Sequence, residues 1–383
     1  IDTEYPDCFD CVVKGEGETA FKDMLQLYED GQPWPKKMVP PYLDESELIF
    51  DYAWDMVENP DIFAPTMSPF NPDKMGSVVW SRGCPFNCVF CAGPALWEGS
   101  KMRVRYRSPQ SVINELKYLR DNFGIRRLFV HDDTLNTSPK KLEKILKAII
   151  DADLGMIWYA SGLRANKNML PEYILPLLRQ AGCRVVNYGI ESGSEVVLDK
   201  IHRQSKLEDI ERALTLTKKY KIKNSGSFTI GHIWREADGS LGAETENQIR
   251  ETVSYIKKIV SKGLLWTFTI STISPVPGSE TWNIARDFKL LKSEDIEDLE
   301  DTLTYERLAL NFNHPSLDAK TLQHHAARAY RIAIFSLPHL YHAITTFESW
   351  ADIEGAFKTF FYMMQARLFV PLQNVYLKRL QEK

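Results

Sequence analysis

Three cysteines within eight residues are the feature of this sequence that most clearly suggests chemistry. Cys84, Cys88 and Cys91 follow a Cys-x3-Cys-x2-Cys spacing, with an aromatic residue directly before the last cysteine. Thiolates are the usual protein ligands of iron–sulfur clusters, and spacings this short let one loop wrap a four-iron cubane. Three thiolates leave one of the four irons without a protein ligand. The loop therefore predicts a [4Fe-4S] cluster whose remaining iron can bind a substrate or a cofactor directly.

A structural zinc site is the main alternative interpretation of this loop. Such a site takes four protein ligands, and with no fourth Cys or His nearby in the sequence, a distant His or Cys183 would have to complete it. Cys8 and Cys11 resemble half of a second metal site, but they have no matching pair, so we interpret them as strand-edge cysteines. A chain of 383 residues needs no disulfide scaffold. We therefore expect a reducing compartment and a cytoplasmic location.

Composition and charge narrow the possible partners. The chain is 44% hydrophobic and 26% charged, which is ordinary for a globular protein. Its formal net charge of −4 gives no general attraction to nucleic acid, and we expect no nucleic-acid partner. The sequence contains no run of about 18 apolar residues, so it predicts no membrane span. The chain starts at Ile1 without the basic flank and apolar run of a signal peptide, and the missing Met favours a fragment.

A strand–helix alternation must position the cysteine loop. Apolar runs predict six strands, at 77–81, 127–131, 156–160, 184–190, 225–230 and 264–272. Helical periodicity lies between them, at 109–122, 138–150, 171–181, 207–220 and 245–261. This alternation predicts a parallel sheet with right-handed crossovers, and six units fall short of the eight that close a barrel. We expect an α/β fold, a partial (β/α)6 barrel of the TIM type, with a doubly wound sheet as second choice. Ligands would then lie at the carboxyl ends of the strands.

Three regions follow from this reading of the chain. Residues 1–75 form an N-terminal remnant and a proline-rich linker, 76–290 the core barrel, and 291–383 a mainly helical extension. We expect the extension to cover the barrel mouth and to shape the substrate site. Its histidines are interpreted as core or helix-surface residues rather than as a base or metal ligands; they are His314, His324, His325, His339 and His342.

The cysteine loop resembles the signature of the radical SAM superfamily, and the resemblance extends over residues 76–285. It implies that the free iron binds the amino and carboxylate groups of S-adenosylmethionine (SAM). It also implies that one electron from the cluster cleaves SAM into methionine and a 5′-deoxyadenosyl radical, which takes a hydrogen atom from the substrate. A small-molecule substrate and a reductant such as flavodoxin or ferredoxin belong to the same expectation. The sequence names no catalytic residue and no substrate.

The resemblance assigns polar SAM contacts to the ends of successive strands. Asp132 and Asp133 stand where many members hold the SAM amine, and a turn or a helix cap is the alternative. Arg164 faces the SAM carboxylate in the resembling branch, a task that suits a guanidinium fork; a surface salt bridge is the alternative. Glu191, in Tyr-Gly-Ile-Glu-Ser-Gly-Ser, is expected to bind ribose hydroxyls or the SAM amine. Arg203 is expected near the SAM carboxylate or an acidic substrate, with a solvated surface arginine as the alternative.

Apolar contacts to the adenine are assigned in the same way. Phe90 occupies the aromatic position beside the third cysteine, Ile230 ends the fifth strand, and Pro275 belongs to the Pro-x-Pro-Gly-Ser turn after the sixth. The family usually continues the fifth strand with a Pro-Gly-Glu-Thr turn. Here residues 232–242 form a longer insert before Glu244-Thr245, which leaves the role of that turn open.

The N-terminal segment narrows the expected branch. Gly15-Glu-Gly-Glu-Thr19 resembles the end of a cobalamin-binding domain that precedes the barrel in class B methyltransferase-like members, although the Asp-x-His-x-x-Gly cobalt-ligand motif is absent. The resemblance implies cobalamin-linked methylation or a related radical modification, with cobalamin bound in the full-length protein. Two alternatives stay open: methylthiotransferase-like modification of RNA or protein, and an iron–sulfur electron-transfer or binding module without catalysis.

Overall fold

The computed structural model describes residues 9–48, 56, 66–68, 71–98, 104–292 and 312–334. Cys8, His339 and His342 lie outside the described residues. The strands, in chain order, are β1 (Val12–Val13), β2 (Lys37–Met38), β3 (Thr66–Ser68), β4 (Asn71–Val78), β5 (Ser81–Arg82), β6 (Arg105–Tyr106), β7 (Arg127–Val130), β8 (Ile157–Leu163), β9 (Cys183–Glu191), β10 (Lys223–Ile230), β11 (Ile233–Arg235), β12 (Leu241–Ala243) and β13 (Thr267–Thr272). The helices are α1 (Gly17–Glu29), α2 (Gly93–Leu96), α3 (Pro109–Phe123), α4 (Pro139–Ala152), α5 (Ile174–Gln180), α6 (Glu195–Lys200), α7 (Leu207–Lys219), α8 (Glu246–Ser261), α9 (Glu280–Asp287) and α10 (Ala319–Ile334).

A seven-stranded sheet in the order β13-β10-β9-β8-β7-β4-β3 organises the fold. Six of these strands are parallel to one another, and β3 adds an antiparallel edge. The parallel strands follow each other in chain order without the reversal that defines a doubly wound sheet. The predicted partial (β/α)6 barrel is therefore confirmed, and the second choice was wrong.

Alternating burial explains why these segments become strands and helices. Every second residue of β10 is buried, as expected for a strand with two different faces. The buried residues of α4 recur at helical spacing, and each is worth roughly 1.5–3 kcal/mol relative to an exposed position; they are Leu142, Ile145, Leu146 and Ile149. Ser108 accepts a hydrogen bond from Ser111 N at the start of α3, and Gly124 ends that helix at φ 66°.

The first parallel strand is where the predicted and observed boundaries differ most. We predicted a strand over 77–81, but β4 ends at Val78 and Ser81 begins the separate strand β5. The cause is Asp132, which accepts hydrogen bonds from Trp80 N at 2.8 Å and from Ser81 Oγ at 2.5 Å. These bonds turn the chain away from the sheet before it enters the cysteine loop.

Within the described part of the C-terminal region, Ala319–Ile334 form helix α10, in line with the mainly helical extension that we predicted. Helix α10 packs on α8 and β13, and the ring of Tyr330 stacks on Phe268 with centroids 5.4 Å apart. His325 Nε2 lies 3.1 Å from Glu246 Oε1, so this histidine pairs two helices. Within the described residues, no helix has both the length and the apolar character needed to cross a membrane.

Candidate functional site

The cysteine loop lies at the carboxyl edge of the sheet and is fixed from three directions. Gly83 N donates to Asp133 Oδ2 at 2.9 Å, which ties the loop to the end of β7. Val89 N donates to Ile201 O at 3.2 Å, in the segment that follows β9. Val89 O accepts from Thr281 N at 2.9 Å, in the helix that follows β13. Because these anchors come from separate strand ends, the loop is held where ligands of such sheets bind.

Two of the three sulfurs contact groups on or close to the loop. Cys84 Sγ lies 3.4 Å from Thr134 Oγ1, and Cys91 Sγ accepts a hydrogen bond from Gly93 N at 3.3 Å. Burial raises the pKa of the Cys91 thiol, and the charges of Cys88 and Cys84 act in the same direction. Within the described residues, no three His, Cys, Asp or Glu side chains are arranged to share a single metal ion. A cubane has no such requirement, because each thiolate binds a different iron.

Arg164 reaches the third sulfur from the end of β8. Its Nη2 lies 3.3 Å from Cys88 Sγ and donates to Arg203 O at 2.6 Å, while its guanidinium stacks 3.5 Å from the Phe86 ring centroid. Asn136 holds the Arg164 backbone through bonds of 2.9 and 3.0 Å. The side chain is 2% exposed, so the surface salt-bridge alternative was wrong. Burial, followed by the charge of Arg203, lowers the pKa of Arg164 to about 10.

Two nitrogen donors of the Arg164 guanidinium lack a hydrogen-bond acceptor. Its Nε and Nη1 are buried and have no hydrogen-bond partner. An unsatisfied buried donor costs about 1–3 kcal/mol, and a bound ligand is one way in which such a donor is satisfied. A carboxylate oxygen can accept a charge-assisted hydrogen bond from such a free guanidinium donor. The residues present therefore fit an anionic ligand beside Cys88.

Glu191 and Arg203 form the second polar part of the site, at the end of β9. Glu191 Oε2 accepts from Thr229 Oγ1 at 3.2 Å, and Glu191 Oε1 lies 3.8 Å from Arg203 Nη2. Arg203 Nη1 lies 3.8 Å from Cys88 Sγ. Arg203 is only 8% exposed, so the surface alternative for this residue was wrong as well.

The backbone around Glu191 shows why the chain uses glycine here. A Cβ at Gly189 would lie 2.5 Å from Arg203 Nη2 and 2.6 Å from Glu191 Oε1. Only glycine lets both side chains approach this strand. Glu191 itself has φ 70°, a strained conformation for a residue that is not glycine. Strain and close approach together indicate a site shaped for a ligand.

The two aspartates after β7 have different surroundings. Asp132 is buried and uses its carboxylate on Trp80 N and Ser81 Oγ, and burial raises its pKa to about 7. Asp133 is exposed at the edge and accepts from Gly83 N. Their assignment to the SAM amine stays a prediction, and of the two only Asp133 faces solvent beside the loop.

The predicted apolar contacts divide between two clusters. Ile230 is fully buried in the main core, whereas Phe90 is half-buried beside β11, with its ring centroid 5.5 Å from that of His232. Pro275 is buried in the turn after β13. In that turn, a Cβ at Gly278 would lie 3.6 Å from Ala95 Cβ, so the turn closely neighbours α2 after the third cysteine. Phe90 within the loop and the nearby Pro275 turn thus lie at the site, whereas Ile230 lies in the main core at the end of β10.

The insert after β10 is a β-hairpin, which the sequence did not predict. Strands β11 and β12 pair antiparallel and return the chain to its starting point. There Glu244 Oε2 accepts from Gly231 N at 2.6 Å and from His232 N at 3.1 Å. Thr245 forms a capping box with Gln248 at the start of α8. Glu244 and Thr245 therefore have a fixed position after the fifth strand. The Thr-x-x-Gln spacing of Thr245 and Gln248 is the sequence signal for the start of α8.

Comparison with known proteins gives the family and close relatives. Residues 78–238 match the sequence profile of the Radical SAM superfamily. An uncharacterised methyltransferase of Pyrococcus horikoshii is 30% identical over 286 residues, which cover 73% of this chain and 58% of that protein. The anaerobic magnesium-protoporphyrin IX monomethyl ester cyclase of Rubrivivax gelatinosus is 25% identical over 266 residues, covering 63% and 44% respectively. The chain thus spans about half the length of these relatives.

A solved structure supports the fold independently. The radical S-adenosylmethionine methyltransferase TsrM of Kitasatospora setae, bound to tryptophan and a SAM analogue, superimposes with a TM-score of 0.55. The superposition covers 73% of this chain and 55% of that one, at 18% identity. At this identity the likeness concerns the fold, which is the same curled parallel sheet with helices.

Proposed function

The chain belongs to the radical SAM superfamily, and we propose that it holds a [4Fe-4S] cluster on Cys84, Cys88 and Cys91 and cleaves SAM reductively there. The observation that carries this proposal is the environment of Arg164. A buried guanidinium touches a cluster-ligand sulfur with one nitrogen and has two donors without a partner. A carboxylate bound beside the cluster would accept a hydrogen bond from one of them.

Cys84, Cys88 and Cys91 would hold the cluster, which would supply the electron for reductive cleavage of a carbon–sulfur bond of SAM to methionine and a 5′-deoxyadenosyl radical. Arg164 binds and orients the SAM carboxylate. Glu191, fixed by Thr229, accepts from the ribose hydroxyls or the SAM amine. Asp133, exposed beside the loop, offers a carboxylate to the amine, while Asp132 fixes the path of the chain that carries the loop.

The apolar side chains exclude water from the reacting end of SAM. Phe90 and the Pro275 turn flank the adenine, and Ile230 supports it from the end of β10. Arg203 balances the charge of the Cys88 thiolate through Nη1. Excluding water protects a carbon radical from side reactions and strengthens each polar contact in the pocket.

The further chemistry we propose is cobalamin-linked methylation, or a related radical modification, of a small molecule. The methyltransferase relative and the Gly15–Thr19 segment support this choice. We propose that residues 1–75 are the tail of a cobalamin-binding-like domain with its linker, and that cobalamin binds in the full-length protein. Residues 76–290 then form the radical SAM core, and 291–383 a helical extension. A flavodoxin or ferredoxin in the cytoplasm would supply the electrons.

SAM cleavage is tested with the anaerobically reconstituted chain, dithionite and SAM, with 5′-deoxyadenosine measured by mass spectrometry. We expect product from the wild-type chain and none from Cys88→Ala, because a two-thiolate site cannot hold the same cluster. Cys11→Ala is the control for cysteine removal away from the loop and should keep activity. A cluster-loaded wild-type chain that yields no 5′-deoxyadenosine would overturn the proposal and favour an electron-transfer module.

Cobalamin is tested separately, by corrinoid binding to the full-length protein in equilibrium dialysis. We expect binding that depends on the region preceding the barrel. Absence of corrinoid binding together with SAM cleavage would remove the methylation proposal and leave the radical one. Thiomethylated RNA or protein as the product would favour the methylthiotransferase alternative.

A further inference from the structure

The base of the cysteine loop carries two arginines that face each other. The chain enters the loop through β5 and leaves it through β6, which pair antiparallel with Arg82 opposite Arg105. Like charges directly opposite on a two-stranded ladder are destabilising. Within the described residues this two-rung ladder holds the two ends of the loop together. Some other group must therefore compensate the two charges for the ladder to close.

Glu16, from the segment before α1, supplies that compensation. Its Oε1 lies 3.0 Å from Arg82 Nη1, and its Oε2 lies 2.7 Å from Arg105 Nη1. The same carboxylate accepts from Leu43 N at 2.8 Å. The Glu16 side chain is 5% exposed and that of Arg105 2%, so the contact is shielded from water. One carboxylate therefore joins both strands that close the loop.

The surrounding aromatic side chains extend this contact along the loop. The Arg105 guanidinium lies 5.4 Å from the ring centroids of Tyr42 and of Trp97, which follows the third cysteine by six residues. Tyr42 Oη donates to Leu96 O at 2.7 Å and lies 3.0 Å from Glu98 O. The N-terminal segment thus contacts both the start and the far side of the loop.

We propose that Glu16 is a positioning residue for the cluster-binding loop: by joining Arg82 to Arg105, it fixes the spacing of the loop ends and thereby the three thiols. The inference deepens the proposed function, since it concerns the loop to which the cluster is assigned. Its consequence is that the segment preceding α1 supports the site and is not only the end of a preceding domain.

The loop-specific test uses the apo chain and needs no SAM cleavage. Iodoacetamide alkylation of each cysteine is followed by mass spectrometry, with Cys183, buried in β9, as the reporter of global opening. We expect Glu16→Gln to speed alkylation of Cys84 and Cys88 by about fivefold or more through local opening, with Cys183 unchanged. In the reconstituted protein, the same variant should lose its cluster absorbance faster than the wild type.

Glu18→Gln is the matched control, because Glu18 lies two residues away, is half exposed, and pairs with Arg82 at 2.6 Å without reaching Arg105. Its alkylation rates should stay within about twofold of the wild type. Glu16→Gln combined with Arg82→Gln removes the facing like charges and should restore part of the protection. Unchanged loop rates in Glu16→Gln, or a parallel rise at Cys183, would overturn the inference. Absence of 5′-deoxyadenosine from the wild type would instead overturn the proposed function.

Discussion

Two pairs of arginines flank the cysteine loop, and their charges are balanced differently. The outer pair, Arg82 and Arg105, shares the carboxylate of Glu16 at 3.0 and 2.7 Å. The inner pair, Arg164 and Arg203, has Glu191 no closer than 3.8 Å from Arg203, and no carboxylate of the described residues forms an ion pair with Arg164. The outer pair thus has a close carboxylate counter-ion and the inner pair has none, although Arg105, like Arg164, keeps two buried donors without a hydrogen-bond partner.

This difference indicates where a ligand belongs. A buried cation without a counter-ion is costly, so it persists where a partner arrives from outside. The inner pair lies against Cys88, whereas the outer pair lies at the base of the loop. A negatively charged ligand is therefore expected on the inner side, and changes on the two sides should affect different properties: ligand affinity inside, loop integrity outside.

Removal of the inner guanidinium should have the largest effect on affinity. Arg164→Met removes charged hydrogen bonds worth about 1.5–3 kcal/mol, which weakens SAM binding by about 10- to 100-fold. Arg164→Lys keeps the charge but loses the planar guanidinium fork. Its SAM affinity should therefore lie between those of the wild type and of Arg164→Met. The measurement is calorimetric titration of SAM into the reconstituted, anaerobic protein.

Arg250→Met is the control for this prediction, because Arg250 forms an exposed ion pair with Glu246 on α8. It should leave SAM affinity unchanged. A cluster-loaded Arg164→Met protein that binds SAM as tightly as the wild type would contradict the assignment of the inner pair to the ligand.

The outcome for the fold shows what local patterns in the sequence can predict. Strand–helix alternation gave the number, direction and order of the parallel strands, because periodicity and connection length are local properties. The cysteine loop was found for the same reason, since its ligands lie within eight residues. The end of β4 was misplaced because Asp132, more than 50 residues later, captures Trp80 and Ser81.

The site depends on contacts that no local pattern contains. Arg203 lies 115 residues from Cys88 in the chain, and Glu16 lies 89 residues from Arg105. Glu244 accepts a hydrogen bond from Gly231 N, but the β11–β12 hairpin separates the two residues in the sequence. Burial of these charges arises only when the barrel assembles, so the sequence suggested a surface position for Arg203 and only the end of a preceding domain for the segment around Glu16.

The same comparison applies to buried carboxylates, whose pKa values depend on whether their hydrogen-bond donors are charged or neutral. Burial alone would raise the pKa of Glu16, but hydrogen bonds from Arg105 and Arg82 outweigh it and hold the pKa below its usual range. Asp132 has only neutral donors, and burial raises its pKa from 3.8 to about 7. Glu16 therefore stabilises the fold above its ordinary pKa and loses this contribution as the pH falls. Asp132, whose pKa is raised, stabilises the fold at low pH, and this contribution is lost as the pH rises.

Asp132→Asn tests this difference. The native protein keeps a proton on Asp132 that the unfolded chain releases, so the wild-type apo chain should lose stability as the pH rises from 5 to 7, by up to roughly 2–3 kcal/mol. Asp132→Asn should lose correspondingly less stability over the same pH range. Urea unfolding at pH 5, 7 and 8 measures the free energy of unfolding of the wild type and of the variant. Exposed Asp121→Asn is the control, and equal pH slopes for the wild type and Asp132→Asn would show that Asp132 is ionised in the native state.

The smallest expected effect concerns Glu191, the only carboxylate that approaches the inner pair among the described residues. Glu191→Gln keeps the hydrogen bond from Thr229 Oγ1 but removes the negative charge. Loss of a partner for the SAM amine or ribose is partly offset, because Arg164 and Arg203 then attract the SAM carboxylate more strongly. We expect SAM affinity to fall by less than about tenfold, which corresponds to roughly 1 kcal/mol.

The control for this prediction is Glu195→Gln, an exposed residue that accepts from Leu207 N outside the inner pair. The ionic-strength dependence of SAM binding separates the two opposing contributions, because only the attraction of the carboxylate is strengthened when the charge of Glu191 is removed. We expect the salt dependence of SAM binding to differ between Glu191→Gln and the wild type, because the variant loses attraction for the SAM amine and gains attraction for its carboxylate. An equal salt dependence would mean that Glu191 does not counterbalance the inner arginines, and that the ligand meets their full charge in the wild type.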